Sequence, residues 1–185
     1  MSESFTAVGM VEFNSIAAGI DAADQMVKTA QVDPIFFKTI CPGKFVAAIS
    51  GDVAAVTSSV NAGRDTHTDA LVDWFIIPNI HRDVIRALSG SAGIGERGAL
   101  GVIETFSAVS IVVAADAAVK AADVRLLDVR MALGLGGKGY ALLTGDVAAV
   151  EAAVEAGSAT AADNGLLVGN IVIPSPVQSV FEQMA

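Results

Sequence analysis

An internal repeat is the feature that most constrains the fold of this 185-residue chain. Three segments recur: residues 7–12 (AVGMVE) return as 99–104 (ALGVIE), residues 51–56 (GDVAAV) as 145–150 (GDVAAV), and residues 76–78 (IIP) as 172–174 (VIP). The offset grows from 92 to 94 to 96 residues, and each step of two falls in a predicted loop, where insertions are tolerated. The repeat therefore predicts a first domain over residues 1–90, a linker over 91–98 and a second domain over 99–185.

The composition excludes several classes of protein. Charged residues make up 17% and hydrophobic residues 53% of the chain, and the mean hydropathy is +0.60, which argues against intrinsic disorder. The formal charge of −9 argues against a nucleic-acid partner, which needs a basic surface. The longest uncharged run, residues 164–181, contains two prolines and predicts no membrane span, and acidic residues near the start predict no signal peptide. A single Cys cannot form an internal disulfide, which favours a reducing, cytosolic setting.

Within each unit, the spacing of apolar residues alternates between strand and helix periods. In the first unit it predicts strands over residues 6–13, 32–40, 45–50 and 71–77, and helices over 16–30, 53–62 and 81–88. The order β-α-β-β-α-β is the ferredoxin-like pattern, so the predicted class is α+β. The predicted helix N-caps are Ser15 and Asp52 in the first unit and Ser107 and Asp146 in the second.

Four short motifs resemble those of bacterial microcompartment shell domains. They are the Gly-(Met/Val)-(Val/Ile)-Glu strand, the helix end at residues 24–32, the Gly-Asp-Val helix start at 51–53 and the Ile-Pro-x-x-His exit at 77–81. Both units match, in unpermuted order. The resemblance implies two tandem ferredoxin-like shell domains and a homotrimer that mimics a six-sided tile. It also implies other shell proteins as partners and a place in the shell of a compartment within the cytoplasm.

The loop at residues 40–45 (ICPGKF) carries a more specific resemblance. It is similar to the loop of the T-type shell proteins of propanediol-utilisation compartments, three copies of which meet at the trimer axis and hold an iron–sulfur cluster. The resemblance implies one [4Fe-4S] cluster per trimer, ligated by Cys41 from three subunits. Such clusters commonly take four thiolates, so the fourth position is left to water, a solute or another donor. The alternative is a buried, inert Cys, although the Pro-Gly turn places this one at a loop tip.

The residues around Cys41 are expected to line the same axis. Lys38 and Lys44 flank the turn, where their charges favour a thiolate and offset the negative charge of a cluster. The second unit has residues 133–138 (LGLGGK) at the same place, without a thiol, and its glycines let backbone approach closely or leave space for the cluster. The predicted pore-loop residues are Lys38, Pro42, Gly43, Lys44, Gly134, Leu135, Gly136 and Gly137.

Four residues are predicted to lie at the edge of a tile. Lys28 and Lys120 end matching helices, where each either satisfies the helix dipole or packs against a neighbouring tile, as in the family. Family domains often carry Arg in an Ile-Pro-x-Pro-His segment at this edge. This chain has Asn79 and Ser175 there instead, so edge contacts of different strength or geometry are expected.

The sequence thus predicts a structural shell protein, not an enzyme, whose cluster transfers electrons across the shell. An encapsulated redox enzyme is a further expected partner. One alternative is the same tile with a cluster-free central pore for small metabolites. Another is an unrelated ferredoxin-like enzyme or sensor, for which the chain offers no convergent set of titratable residues. No catalytic residue is therefore predicted.

Overall fold

The structure, a computed structural model, describes residues 7–88, 98–131 and 134–184. The chain forms two compact units. Unit 1 comprises Met1–Ile80 with Ala132–Gly137, and unit 2 comprises His81–Met131 with Lys138–Ala185. The predicted linker, residues 91–98, lies outside the described residues except for Gly98.

Unit 1 contains a four-stranded antiparallel sheet with two helices. Its elements are β1 (Ala7–Phe13), α1 (Ile16–Thr29), β2 (Asp33–Ile40), β3 (Lys44–Gly51), α2 (Val53–Thr66) and β4 (Leu71–Ile77). The strand order is β2-β3-β1-β4, so β1 lies in the middle and is buried along its whole length. This arrangement confirms the predicted β-α-β-β-α-β fold.

Local capping explains where the helices of unit 1 begin. The Ser15 hydroxyl accepts a hydrogen bond from the Ala18 N–H at 3.3 Å, and the Asp52 carboxylate accepts one from the Ala55 N–H at 2.9 Å, as predicted. Helix α2 continues four residues beyond the predicted end at residue 62. The extension brings Gly63 into contact with Met26 of α1. This buried contact stabilises the helix in a segment whose sequence is polar.

Unit 2 repeats the same fold and has a helix at each end. Its elements are α3 (Arg82–Leu88), β5 (Ala99–Thr105), α4 (Ser110–Ala121), β6 (Arg125–Met131), β7 (Gly139–Gly145), α5 (Val147–Asp163), β8 (Leu167–Ile173) and α6 (Gln178–Met184). The strand order β6-β7-β5-β8 corresponds strand for strand to that of unit 1.

Helix α3 packs against β6 and α4 of unit 2. Its Val84 and Ala87 side chains are buried, and the His81 N–H, just before the helix, donates a 2.7 Å hydrogen bond to the Asp116 carboxylate of α4. The repeat had placed this segment at the end of the first domain. By its packing, α3 belongs to unit 2.

The two predicted caps of unit 2 differ in outcome. The Ser107 hydroxyl accepts hydrogen bonds from the Val109 and Ser110 N–H groups, both at 3.0 Å, but the N-cap residue of α4 is Val109, so the predicted N-cap was wrong by two residues. Asp146 occupies the N-cap position of α5, as predicted, although its side chain accepts no capping hydrogen bond. None of the helices in the described ranges has the length and apolar character needed to cross a membrane.

Replacing Gly157 with alanine is expected to destabilise the chain although alanine is the better helix former. The new Cβ would lie 2.6 Å from the Ala114 carbonyl oxygen, at the contact between α5 and α4. We expect Gly157→Ala to lower the free energy of unfolding by about 1–3 kcal/mol in chemical denaturation. Gly169→Ala is the control, because a Cβ there has no atom within 4 Å; equal losses for the two variants would contradict the prediction.

Candidate functional site

Cys41 lies at the tip of a hairpin in unit 1. Strands β2 and β3 pair in antiparallel register up to Ile40 and Lys44, which leaves a three-residue turn of Cys41, Pro42 and Gly43. Gly43 has a φ of +79°, a left-handed conformation that favours glycine and suits a tight hairpin. The Cys41–Pro42 peptide bond is cis.

Burial changes abruptly along this turn. Ile40 is buried, Cys41 is half-buried, and Pro42 and Gly43 are exposed. Cys41 is a free thiol. A thiol at the tip of a hairpin can reach a metal or a second molecule.

A buried ion pair supports the base of the turn. The Lys44 ammonium lies 2.7 Å from the Glu12 carboxylate, and Glu12, on the central strand β1, is fully buried. Lys44 was expected to lie beside the thiol, and its pairing with Glu12 was not predicted from the sequence. The pair leaves little of the Lys44 charge for the thiol, because a carboxylate inside the protein already balances it.

The same pair recurs in unit 2. Glu104 on β5 and Lys138 before β7 lie 2.9 Å apart, at the positions of Glu12 and Lys44 in the repeat. Both side chains are about two-fifths exposed. The recurrence of both residue types was the sequence signal that could have predicted the Glu12–Lys44 pair.

Lys38 is the remaining lysine beside the turn. Its ammonium lies 4.2 Å from the centroid of the Phe36 ring, two residues earlier on the same face of β2. Burial lowers the pKa of the Lys38 ammonium. The aromatic face partly replaces the lost hydration of this charge.

The glycine-rich loop of the second repeat contributes its end to unit 1. Gly137 is buried, with a φ of +91°, and a Cβ there would lie 3.2 Å from both Lys44 Nζ and Pro42 Cδ. The loop can therefore approach the Cys41 turn because residue 137 has no side chain. Gly134 and Gly136 also have positive φ values and open space around them, Leu135 is half-buried, and Leu133 lies outside the described residues.

The part of one copy that the structure describes assembles no metal site around Cys41. Over residues 7–88, 98–131 and 134–184, no group of three or more His, Cys, Asp or Glu side chains is placed to hold a metal ion. Among the described residues, Cys41 is therefore not part of a ready-made metal-binding group.

The four predicted edge residues lie apart from this turn. Lys28 forms an exposed ion pair with Asp24, and Lys120 forms a 2.5 Å pair with the buried Asp116. Asn79 and Ser175 are exposed. The two lysines thus have partners on their own helices, which suits the helix-end role and leaves a role between tiles as a prediction.

Unit 2 also has an open polar cleft of about 540 Å³. Its lining includes Asp83, Asp123, Arg125 and Asp146. No residue predicted from the sequence to carry function lines it, and no metal-binding group is assembled there among the described residues.

Comparison with known proteins gives consistent matches over nearly the whole chain. A model of the BMC domain matches residues 7–80 and 99–176. The bacterial microcompartment shell protein PduT of Citrobacter freundii is 46% identical over 178 residues, covering 96% of this chain and 97% of that protein. The carboxysome assembly protein CcmO of Synechococcus elongatus is 30% identical over 192 residues, covering 96% and 68%. The crystal structure of a microcompartment protein from Desulfitobacterium hafniense DCB has a TM-score of 0.84 at 49% identity, covering 95% and 98%.

Removing the carboxylate of Glu12 is expected to destabilise the chain more than the equivalent change in unit 2. Glu12→Gln leaves the mostly buried Lys44 ammonium unpaired, and we expect the free energy of unfolding to fall by about 2–4 kcal/mol. Glu104→Gln is the matched control, with a loss below about 1 kcal/mol, because its pair is solvated. Urea denaturation at one protein concentration measures both, and a larger loss for Glu104→Gln would contradict this account.

Proposed function

We propose, because this chain belongs to the BMC domain family of bacterial microcompartment shell proteins, that three copies form one pseudohexameric shell tile with a [4Fe-4S] cluster at its axis. Each copy supplies two shell domains, so three copies supply the six of a six-sided tile. In a trimer of this kind, the three domains that carry the Cys41 turn would alternate with the three that do not. The tile would be a structural element of the shell, without catalytic groups of its own.

The observation that carries the cluster proposal is the place of Cys41. Iron–sulfur clusters need thiolate ligands, and each chain has one thiol, which lies at an accessible hairpin tip. Three copies around an axis provide three thiolates, and water or a solute completes the set. The donor chemistry therefore fits a [4Fe-4S] cluster shared by three chains.

Neighbouring residues support the same assignment. The Glu12–Lys44 pair holds the end of the turn where β3 begins. Because Gly137 has no side chain, the backbone at that residue can pack against Pro42. Lys38, three residues before Cys41, is a basic group whose protonated form would offset the negative charge of a thiolate-bound cluster. Gly134 and Gly136 add no side chains to the space that the cluster would occupy.

A bound [4Fe-4S] cluster supplies one-electron transfer. At the axis of a tile, it would connect the two sides of the shell and serve a redox enzyme enclosed within it. The same tile without a cluster would have a central pore for small metabolites. The two functions differ in whether Cys41 holds iron.

Anaerobic reconstitution with iron and sulfide separates these functions. We expect the wild-type chain to become brown, with broad visible absorption, and to remain trimeric in light-scattering chromatography. Cys41→Ser should lose the colour and keep the trimer, because a hydroxyl is a poor cluster ligand. Thr39→Ser, an exposed change on the same hairpin, should keep both.

Two results would contradict the proposal in different ways. A trimeric wild-type chain that stays colourless and iron-free would exclude the cluster and favour the metabolite pore. A wild-type chain that stays monomeric would exclude the proposed tile.

A further inference from the structure

The two Glu–Lys pairs of the repeat differ in how deeply they are buried. In unit 1, Glu12 is fully buried and the Lys44 side chain is 17% exposed. In unit 2, the side chains of Glu104 and Lys138 are 39% and 42% exposed. The residue types and their places on the strands are the same, so the difference arises from what packs over the first pair.

Gly137 is part of that packing. It is buried, and a Cβ built on it would lie 3.2 Å from Lys44 Nζ and 3.4 Å from Lys44 Cε. The same Cβ would lie 3.2 Å from Pro42 Cδ. Residues Ala132–Gly137 belong to unit 1, although they come from the second repeat. The backbone at one position of the glycine-rich loop therefore lies against both sides of the Cys41 turn.

The equivalent glycine of the first repeat lies in open space. An offset of 94 residues relates Lys44 to Lys138 and Gly43 to Gly137, so each glycine directly precedes the lysine of its pair. Both glycines are left-handed, with φ values of +79° and +91°. A Cβ on Gly43 would meet no atom of the described residues within 4 Å. Both places favour glycine for the backbone conformation, whereas Gly137 is also needed for a close approach.

The two neighbours of Gly137 differ in how freely they can move. The Lys44 ammonium lies 2.7 Å from the Glu12 carboxylate, and moving it would weaken a buried ion pair, which is strongly unfavourable. Pro42 is exposed, and its nitrogen forms the peptide bond with Cys41. A side chain at residue 137 would therefore displace Pro42 and carry the Cys41 backbone with it.

We propose that Gly137 is a positioning residue for Cys41: the turn rests against its backbone, and this support fixes where the thiol lies. The inference rests on the proposed function, because it gives the glycine-rich loop the task of placing the proposed cluster ligand. Three thiolates can share one cluster only when each lies at the same place in its own copy. The support comes from the repeat that has no thiol of its own.

The reactivity of the thiol tests this support in the absence of iron. Cys41 is the sole cysteine of the chain, so alkylation by iodoacetamide reports on this residue alone. Gly137→Ala should move the turn away from its support, expose the half-buried thiol and raise the alkylation rate by at least about 5-fold.

Gly134→Ala and Gly136→Ala are the matched controls. Both glycines have positive φ values, but a Cβ on either would meet no described atom within 4 Å. Their alkylation rates should stay within about 2-fold of the wild type. The rates are measured at several urea concentrations below the unfolding transition. A rate governed by global unfolding rises with urea, whereas the rate of a displaced turn in a folded chain does not.

Hydrogen exchange tests the same contact in the wild-type sequence, which removes any effect of a substitution on folding. N-ethylmaleimide places a bulky group on Cys41, and the contact should carry this disturbance back to the loop. Amide exchange in a peptide that covers residues 134–137 should become at least about 3-fold faster. A peptide that covers residues 163–165, another turn with a left-handed glycine, should be unchanged.

Reconstitution connects the support to the proposed cluster. Gly137→Ala should hold less than about half the iron of the wild type and give an altered EPR spectrum after reduction, because its thiolates no longer converge. Gly136→Ala should match the wild type in both measurements.

The outcomes separate this inference from the proposed function. The support is overturned if Gly137→Ala reacts at the wild-type rate, if Gly136→Ala shows the same increase, or if the increase follows urea. Unchanged exchange at residues 134–137, or full iron with an unaltered spectrum in Gly137→Ala, also overturns it. A wild type that takes up no iron, while Gly137→Ala still alkylates faster, overturns the cluster and leaves the support.

Discussion

The packing of α3 on α4 and β6 is the interaction on which the rest of this account depends. It buries the apolar face of one unit with the helix that closes the preceding repeat in the sequence. In unit 1 the equivalent positions lack such a cover, and Ile20 and Phe37 are 56% and 39% exposed. The proposed tile would bury part of the apolar surface of a chain that is 53% hydrophobic.

Duplication also lets the two repeats differ in chemistry while they share a scaffold. Both have a Glu–Lys pair from the central strand to the base of the turn, so both can support a loop at the same place. Only the first loop carries a thiol, and the second has glycines. Six equivalent domains would bring six thiols to an axis, whereas alternating domains bring three. Three thiolates and one open position suit a single cluster.

Much of the fold could be predicted from local sequence. The repeat, the alternating periods and the caps at Ser15 and Asp52 agree with the structure because each depends on residues close in the chain. The partner of Lys44 could not be predicted from local sequence, because Glu12 is 32 residues distant and the strand register decides their contact. For the same reason, the sequence did not predict that α3 packs in unit 2 or that Gly137 approaches Pro42. Asp146 has the residue type of a cap but not the hydrogen bond, which depends on a side-chain rotamer.

Native mass spectrometry of the anaerobically reconstituted protein tests the central claim most directly, because one mass reports both assembly and cofactor. The account predicts a single species of three chains, each of 18.7 kDa, plus four iron and four sulfide ions. It also predicts that the three chains stay together when the iron and sulfide are removed. Three bare chains, or iron bound to single chains, would contradict it.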